Sequence, residues 1–205
     1  MGDPKFSRRR YQTPSHPWEG ERIKAENELL KKYGLKNKKE LWRAQSVLRR
    51  FRHRARELQA LVRYADRQAG KERDELIGRL GRLGLLPTEG ATLDDVLGLD
   101  VEAVLSRRLQ TLAFVKGLAF TPHQARQFIV HGHVSVGARR VTVPGYLVTR
   151  TEEGSIAYDT RSPISHDLHP ARPGAPAPEA PPAEGEGDVP GPGPPQPPGL
   201  GGGAP

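Results

Sequence analysis

Apolar positions recur along this chain with more than one period, and the changes between periods divide it into segments. Leu41, Ala44, Leu48, Phe51, Ala55, Leu58, Val62 and Ala65 are spaced alternately three and four residues apart, which predicts a single apolar seam along one long helix. A seam of this length also suits a coiled coil, but its three alanines weaken a free-standing zipper and favour a helix packed within its own domain. Upstream, Glu21 to Tyr33 reads as a helix with Gly34 as its cap, followed by the basic connector Leu35 to Lys39. Downstream, Lys71 to Leu83 reads as a helix weakened by Gly78 and Gly81 and ended by the run from Gly84 to Pro87. Thr92-Leu93-Asp94-Asp95 has the form of a capping box and starts a short helix to Leu97. Val101 to Leu118 is helical in pattern, with Val104, Leu105, Leu109, Leu112 and Val115 facing inward.

Residues 121–148 carry the densest local information. Thr121 is a good N-cap, Pro122 suits the first helical position, and Gln124 completes a capping box. Ala125, Phe128 and Ile129 form a buried stripe, and Gly132 is placed to end the helix in a left-handed conformation. The alternation of His133 to Val136, a turn at Gly137, and the alternation of Val141 to Val143 predict a hairpin. Ser155 to Tyr158 is a further strand, reached through a turn at Glu152 to Gly154. His123, Arg126, Gln127, His131, Arg139 and Arg140 are left facing outward, a set suited to phosphate and sugar contacts.

Composition sharpens this division. Residues 1–86 carry 23 Lys+Arg against 11 Asp+Glu, residues 87–162 carry 8 against 8, and residues 163–205 carry 1 against 5. The net charge of +8 therefore sits in the first segment, and points to a polyanionic partner. With hydrophobic residues at 35%, small cores separated by polar surface are expected rather than one large core. From Pro163 the chain holds 14 prolines and 9 glycines in 43 residues, so residues 163–205 are expected to be a disordered acidic tail, dispensable for binding that partner. The absence of cysteine excludes disulfides, thiol catalysis and cysteine zinc sites. No apolar run is long enough for a membrane span, and the amino terminus lacks an apolar signal core, so a soluble cytoplasmic protein is expected.

The candidate chemistry is that of nucleic-acid binding. Residues 1–20 read as an extended basic arm in which Arg8, Arg9, Arg10, Tyr11, His16 and Trp18 would order on RNA by forking onto phosphates and stacking on bases. On the long helix, Arg49, Arg52, Arg56, Arg63 and Arg67 fall on one flank, and Arg43, Arg50 and Arg54 on the far side. Eight arginines from Arg43 to Arg67, with only Glu57 and Asp66 to offset them, favour RNA over a merely solvated face, since guanidinium planes bond phosphate bidentately and stack on bases. His131 and His133 lack a supporting carboxylate or cysteine cluster, so hydrogen bonding or RNA contact is preferred to a metal. A DNA-reading helix-turn-helix fits poorly, because a β-ribbon follows at once and Phe128 and Ile129 fix the second helix against the body. The paired acids Asp94-Asp95 and Glu152-Glu153 sit in a cap and a turn, no phosphate-binding glycine loop occurs, and no nucleophile has a base partner, so no enzyme is expected.

Two sets of residues carry a family resemblance. Arg107-Arg108-Leu109, Thr121-x-x-x-Ala125-Arg126-Gln127-x-Ile129-x-x-Gly132-His133-Val134-x-Val136, Val141 and Pro144-x-Tyr146-x-Val148 resemble the small RNA-binding module named after ribosomal small-subunit protein four. Arg9-Arg10-Tyr11-x-Thr13-Pro14-x-His16-Pro17-Trp18, Tyr33 to Lys38, and Leu41-Trp42-Arg43-Ala44-x-Ser46-x-Leu48-Arg49-x-Phe51-Arg52 are similar to the archaeal and eukaryotic branch of that ribosomal protein family. The resemblance covers about residues 4–162. It implies an α+β protein: an arm (1–20), a mainly helical basic domain (21–100), a two-helix and β-ribbon RNA-binding module (101–162), and the tail (163–205). It implies a structural constituent of the small ribosomal subunit that binds its ribosomal RNA early, organises an RNA junction and supports translation accuracy, with neighbouring small-subunit proteins and the mRNA entry region nearby. A free RNA-binding factor for ribosome rescue or maturation is the alternative. Neither reading involves a membrane, a small-molecule substrate, a cofactor or a metal. Bacterial members can carry a cysteine metal site, which this chain cannot form. Charge and resemblance together add Lys36, Lys38, Arg107, Arg108, Lys116, His123 and His133 to the expected RNA-contacting set.

Overall fold

The computed structural model describes residues 9–64, 66–88, 90–166 and 169–173. Arg8, the last seam position Ala65 and the tail beyond Pro173 therefore lie outside the described residues. The helices are α1 (Gly20–Tyr33), α2 (Lys38–Arg63), α3 (Arg67–Arg82), α4 (Leu93–Gly98), α5 (Val101–Ser106), α6 (Leu109–Val115), α7 (Pro122–Val130) and α8 (Arg150–Glu153). Three short strands, β1 (Val134–Val136), β2 (Arg139–Arg140) and β3 (Ile156–Tyr158), form an antiparallel sheet in the order β2-β1-β3. A 3-10 turn, Pro163–Ser165, follows.

The helical seam is realised on α2. Leu41, Ala44, Leu48, Ala55 and Leu58 are buried, and Phe51 and Val62 are half-buried against α1, α3, α4 and α5. Gly34 takes φ 59° and caps α1, its N–H reaching the Lys31 carbonyl, where a side chain would collide with Pro122. Thr92 and Asp95 close a reciprocal box at the start of α4.

The expected helix from Val101 to Leu118 is broken at Arg107 and Arg108. The break has a tertiary cause. Arg107 and Leu109 turn their backbone outward to a distant segment: Val148 N–H donates to the Arg107 carbonyl (3.0 Å), and Leu109 N–H donates to the Tyr146 carbonyl (2.8 Å). The break also separates two cores. Val104 and Leu105 join the core of the helical lobe, whereas Leu109, Leu112, Phe128, Ile129, Val134, Val148 and Ile156 form the core of the second lobe. Val115, expected to face inward, is largely exposed because α6 ends there and the chain turns through Gly117.

Around α7 the local chemistry is close to the expectation, with one shift. The Thr121 hydroxyl accepts from Gln124 N–H (3.1 Å), but the Gln124 side chain accepts from Phe120 N–H (2.7 Å), closing the box one residue early. Gly132 (φ 76°) ends the helix, His133 N–H donating to the Phe128 carbonyl at 2.8 Å. The returning strand is Arg139–Arg140 and not Val141–Val143; only Val141 N–H continues the pairing, to the Val134 carbonyl. The expected turn at Glu152 is the short helix α8, with Thr149 and Glu152 as its capping box.

Two segments expected to lack order of their own pack onto the body. In the arm, the Tyr11 ring lies 6.2 Å from Trp42, and Gln12 N–H donates to the Ser46 hydroxyl (3.2 Å). After Ser162, Ile164 is buried in the second core, the Ala171 carbonyl accepts from the Gln124 amide (2.9 Å), and the Arg172 guanidinium sits 4.9 Å from the Tyr158 ring. The described residues 163–166 and 169–173 thus lie on the second lobe, with Ile164 as their apolar anchor.

Candidate nucleic-acid interface

The solvent face of α2 is arginine-rich because its seam faces the other way. Arg43, Arg49, Arg50, Arg54 and Arg56 are exposed on it. Arg54 is paired with Glu57 (3.3 Å) and with Glu72. Arg43, Arg49, Arg50 and Arg56 have no ion-pair or hydrogen-bond partner among the described residues. Unpartnered guanidiniums keep their full donor forks for a ligand. The arm lies along this face: Arg9, Arg10 and Tyr11 line a groove together with Ser46, Arg49 and Arg50. Arg9 lies over the Tyr11 ring (4.3 Å). His16 is exposed, and its carbonyl accepts from Arg22 (2.7 Å).

Arg52 departs from the expectation of an open flank. It is half-buried and donates to the Leu99 carbonyl, so it fastens α2 to the end of α4. Lys36 is exposed, whereas Lys38 is held by Glu26 (3.2 Å). Glu26 is buried at the α1–α2 contact and also accepts from Trp42 Nε1 (3.0 Å) and Arg22 (2.9 Å). Burial pushes its carboxyl up, but hydrogen bonds from Trp42, Lys38 and Arg22 outweigh this and hold it below its ordinary value.

In the second lobe most of the expected contacts are already engaged within the chain. Arg126, placed by helical geometry beside Gln127 and His131 on the open face, instead turns toward the helical lobe and forms a bidentate pair with Glu40 at 2.5 and 3.1 Å. Arg108, also expected to contact RNA, is buried and donates to the same carboxylate (2.7 Å). Both are pulled inward by the same cause: a carboxylate from α2 sits in the seam between the lobes. Gln110 completes the junction, its buried amide donating to the carbonyls of Gly34 (2.8 Å) and Pro122 (3.0 Å) while its oxygen accepts from Arg126 (3.3 Å). Burial raises the Glu40 carboxyl, but the hydrogen bonds and charges of Arg126 and Arg108 outweigh it and hold it below its ordinary value.

Arg107 pairs with Glu153 (2.8 Å), and Lys116 donates to the Glu153 carbonyl. Arg140 donates to the His131 carbonyl (2.9 Å) and covers Gly132, where a Cβ would strike its guanidinium. Arg139 reaches Glu152 only at 3.5 Å and stays open. His123 and Gln127 are exposed, and Gln127 meets His131 at 3.2 Å. His133 is bonded to Ser162 (2.8 Å) and stacked on His131; burial, then the charges of His131, Arg140 and His169, lower its tendency to protonate. Among the described residues, no group of three or more histidines and carboxylates is placed to hold a metal, and no helix is long and apolar enough to cross a membrane.

The structure therefore brings the arm residues together with the outer face of α2, and leaves Lys36, His123, Gln127, Arg139 and Arg140 on surfaces of their own. Reading the sequence missed Glu40 and Gln110. One signal was present: Glu40 is the only acid between Lys31 and Arg56, whereas Gln110, beside Thr111, gave none.

Residues 107–153 match the S4 domain family. Over 172 residues, 84% of this chain, the sequence is 55% identical to small ribosomal subunit protein uS4 of Thermoplasma acidophilum, covering 86% of that protein. It is 56% identical to the same protein of Picrophilus torridus (93% of that chain) and 53% identical to that of Methanococcus aeolicus (96% of that chain). Identity at this level across both lobes, and not only across the S4 domain, shows that the chain belongs to the small ribosomal subunit protein uS4 family, whose members are structural and not catalytic components of the ribosome.

Proposed function

We propose that the chain binds small-subunit ribosomal RNA early, as a primary binder, and fixes the relative orientation of RNA helices that meet at a junction. The observation that carries this reading is the Glu40 bridge. Glu40 stands on the helix that displays Arg49, Arg50 and Arg56, and its carboxylate grips Arg108 and Arg126 of the other lobe. Two surfaces locked to one another can hold two RNA segments at a set angle, which two surfaces on a flexible linker cannot. The α2 face and arm would neutralise phosphates, and the S4 domain would add Gln127, His123, Arg139 and Arg140 on its outer side. Arg108 and Arg126 are assigned to the lock and not to direct contact. Early binding would let the protein support subunit assembly and translation accuracy, beside other small-subunit proteins and the mRNA entry region.

Sedimentation of a cell lysate tests this assignment. The chain should travel with the small subunit and remain on it through a moderate-salt wash. Recovery mainly at the top of the gradient would favour a free rescue or maturation factor.

A further inference from the structure

Beside the arginine-rich face of α2 lies a groove of about 940 Å³, walled by α2 and α3 and lined as well by Thr149, Arg150 and Thr151. Half-buried Phe51, Leu76 and Leu147 give it an apolar floor. Arg50, Arg79 and Arg82 stand along its rim, exposed and without hydrogen-bond or ion-pair partners among the described residues. Arg150 is held in place by the Thr88 hydroxyl (2.7 Å) and the Leu86 carbonyl (3.2 Å). Gly78 lines the same groove from the middle of α3. Packing does not call for glycine there, since an added Cβ would meet only the Arg82 guanidinium, at 4.0 Å. A glycine weakens a helix interior relative to alanine, so its presence at an exposed position leaves clearance on the groove side as the physical consequence.

We propose that this groove holds an unpaired stretch of RNA, with bases against Phe51, Leu76 and Leu147 and phosphates on Arg50, Arg79 and Arg82. The inference rests on the RNA-binding reading above and extends it. An apolar floor under a cationic rim complements a strand whose base faces are free; a duplex keeps those faces stacked inside and offers only its phosphates. The groove is also continuous with the arm groove through Arg50 and Arg54, which line both. That continuity favours one polyanion running across both surfaces over an acidic peptide in this groove alone.

The test uses the full chain and small-subunit ribosomal RNA of the source organism, with wild type compared to Gly78→Leu. The leucine fills the groove from an open helical position, so the melting temperature should hold or rise. Affinity should fall about tenfold, the loss expected when roughly one base stack is forfeited. Nucleotide-resolution probing should show a short unpaired stretch protected by wild type and exposed with the variant, while duplex backbone protections persist. Gly78→Glu, which adds charge in place of bulk, should give the same loss if the leucine variant fails to fold. Equal affinity, or weaker binding with the unpaired protections intact, would overturn the groove. So would a photocrosslinker at position 78 that joins a protein and not RNA in assembled subunits. Absence of any RNA binding by wild type would instead overturn the broader reading.

Discussion

Arginine does two different jobs in the two lobes, and the difference follows from where the acids are. On the outer face of α2, Arg43, Arg49, Arg50 and Arg56 stand in solvent, with no partner among the described residues. In the S4 domain, Arg107, Arg108 and Arg126 are drawn onto Glu153 and Glu40 and are largely withdrawn from solvent. The charge balance of the sequence anticipates this contrast: the first 86 residues carry a large cationic excess, and residues 87–162 are neutral. An arginine surrounded by its own kind finds no acid to pair with among the described residues and keeps its donors open to an outside polyanion. One near a desolvated carboxylate becomes part of the protein's own framework.

The contrast can be broken most directly at Glu40. Glu40→Ala leaves two inward-facing guanidiniums without their anion and should cost about 2–4 kcal/mol, a little under the figure for fully buried pairs because Glu40 and Arg126 keep some exposure. Urea unfolding measures this; a change below about 0.5 kcal/mol, the range of ordinary surface substitutions, would show that the lobes do not depend on the bridge. Truncation after Ser162 should cost less, on the order of 1–3 kcal/mol, since it uncovers the second core where Ile164 sits. A truncated chain with an unchanged melting temperature would mean that residues 163–173 merely rest on the lobe.

Acid should weaken the bridge in a defined direction. The Glu40 and Glu26 carboxyls titrate below their ordinary values in the folded chain, so their contribution is complete above the ordinary carboxylate range. It disappears as pH falls through that range toward the lower folded values. Glu40→Gln should flatten this part of the stability profile. An acid limb of equal steepness in the variant would assign the acid sensitivity to other groups. The smallest effect on stability is expected on α2: Arg49→Ala and Arg56→Ala should each change it by no more than about 0.5 kcal/mol.

How much was legible in the sequence depended on whether the cause was local. The seam from Leu41 to Val62, the Gly34 and Gly132 caps, and the Thr92 box are set by neighbours a few residues away, and each was readable from spacing alone. The break at Arg107–Arg108 was not, because it is imposed by pairing with Tyr146 to Val148. Arg126 shows the same limit. Helical geometry puts it beside Gln127 on the open face, and its true direction is fixed by Glu40, 86 residues earlier in the chain. Arg43, Arg49, Arg50 and Arg56 were legible because nothing distant competes for them, whereas Arg52 is captured by the Leu99 carbonyl and Arg54 by Glu72 of α3.

The unpartnered arginines of α2 are expected to meet RNA phosphates, while Arg108 and Arg126 hold the lobes together through Glu40. The salt dependence of RNA binding by the Arg49→Ala, Arg50→Ala, Arg56→Ala triple variant tests it most directly. Each phosphate that is no longer neutralised should lower the slope of log affinity against log salt by about one. The slope should fall by about two to three with an unchanged melting temperature. A well-folded triple variant with the wild-type slope would contradict it.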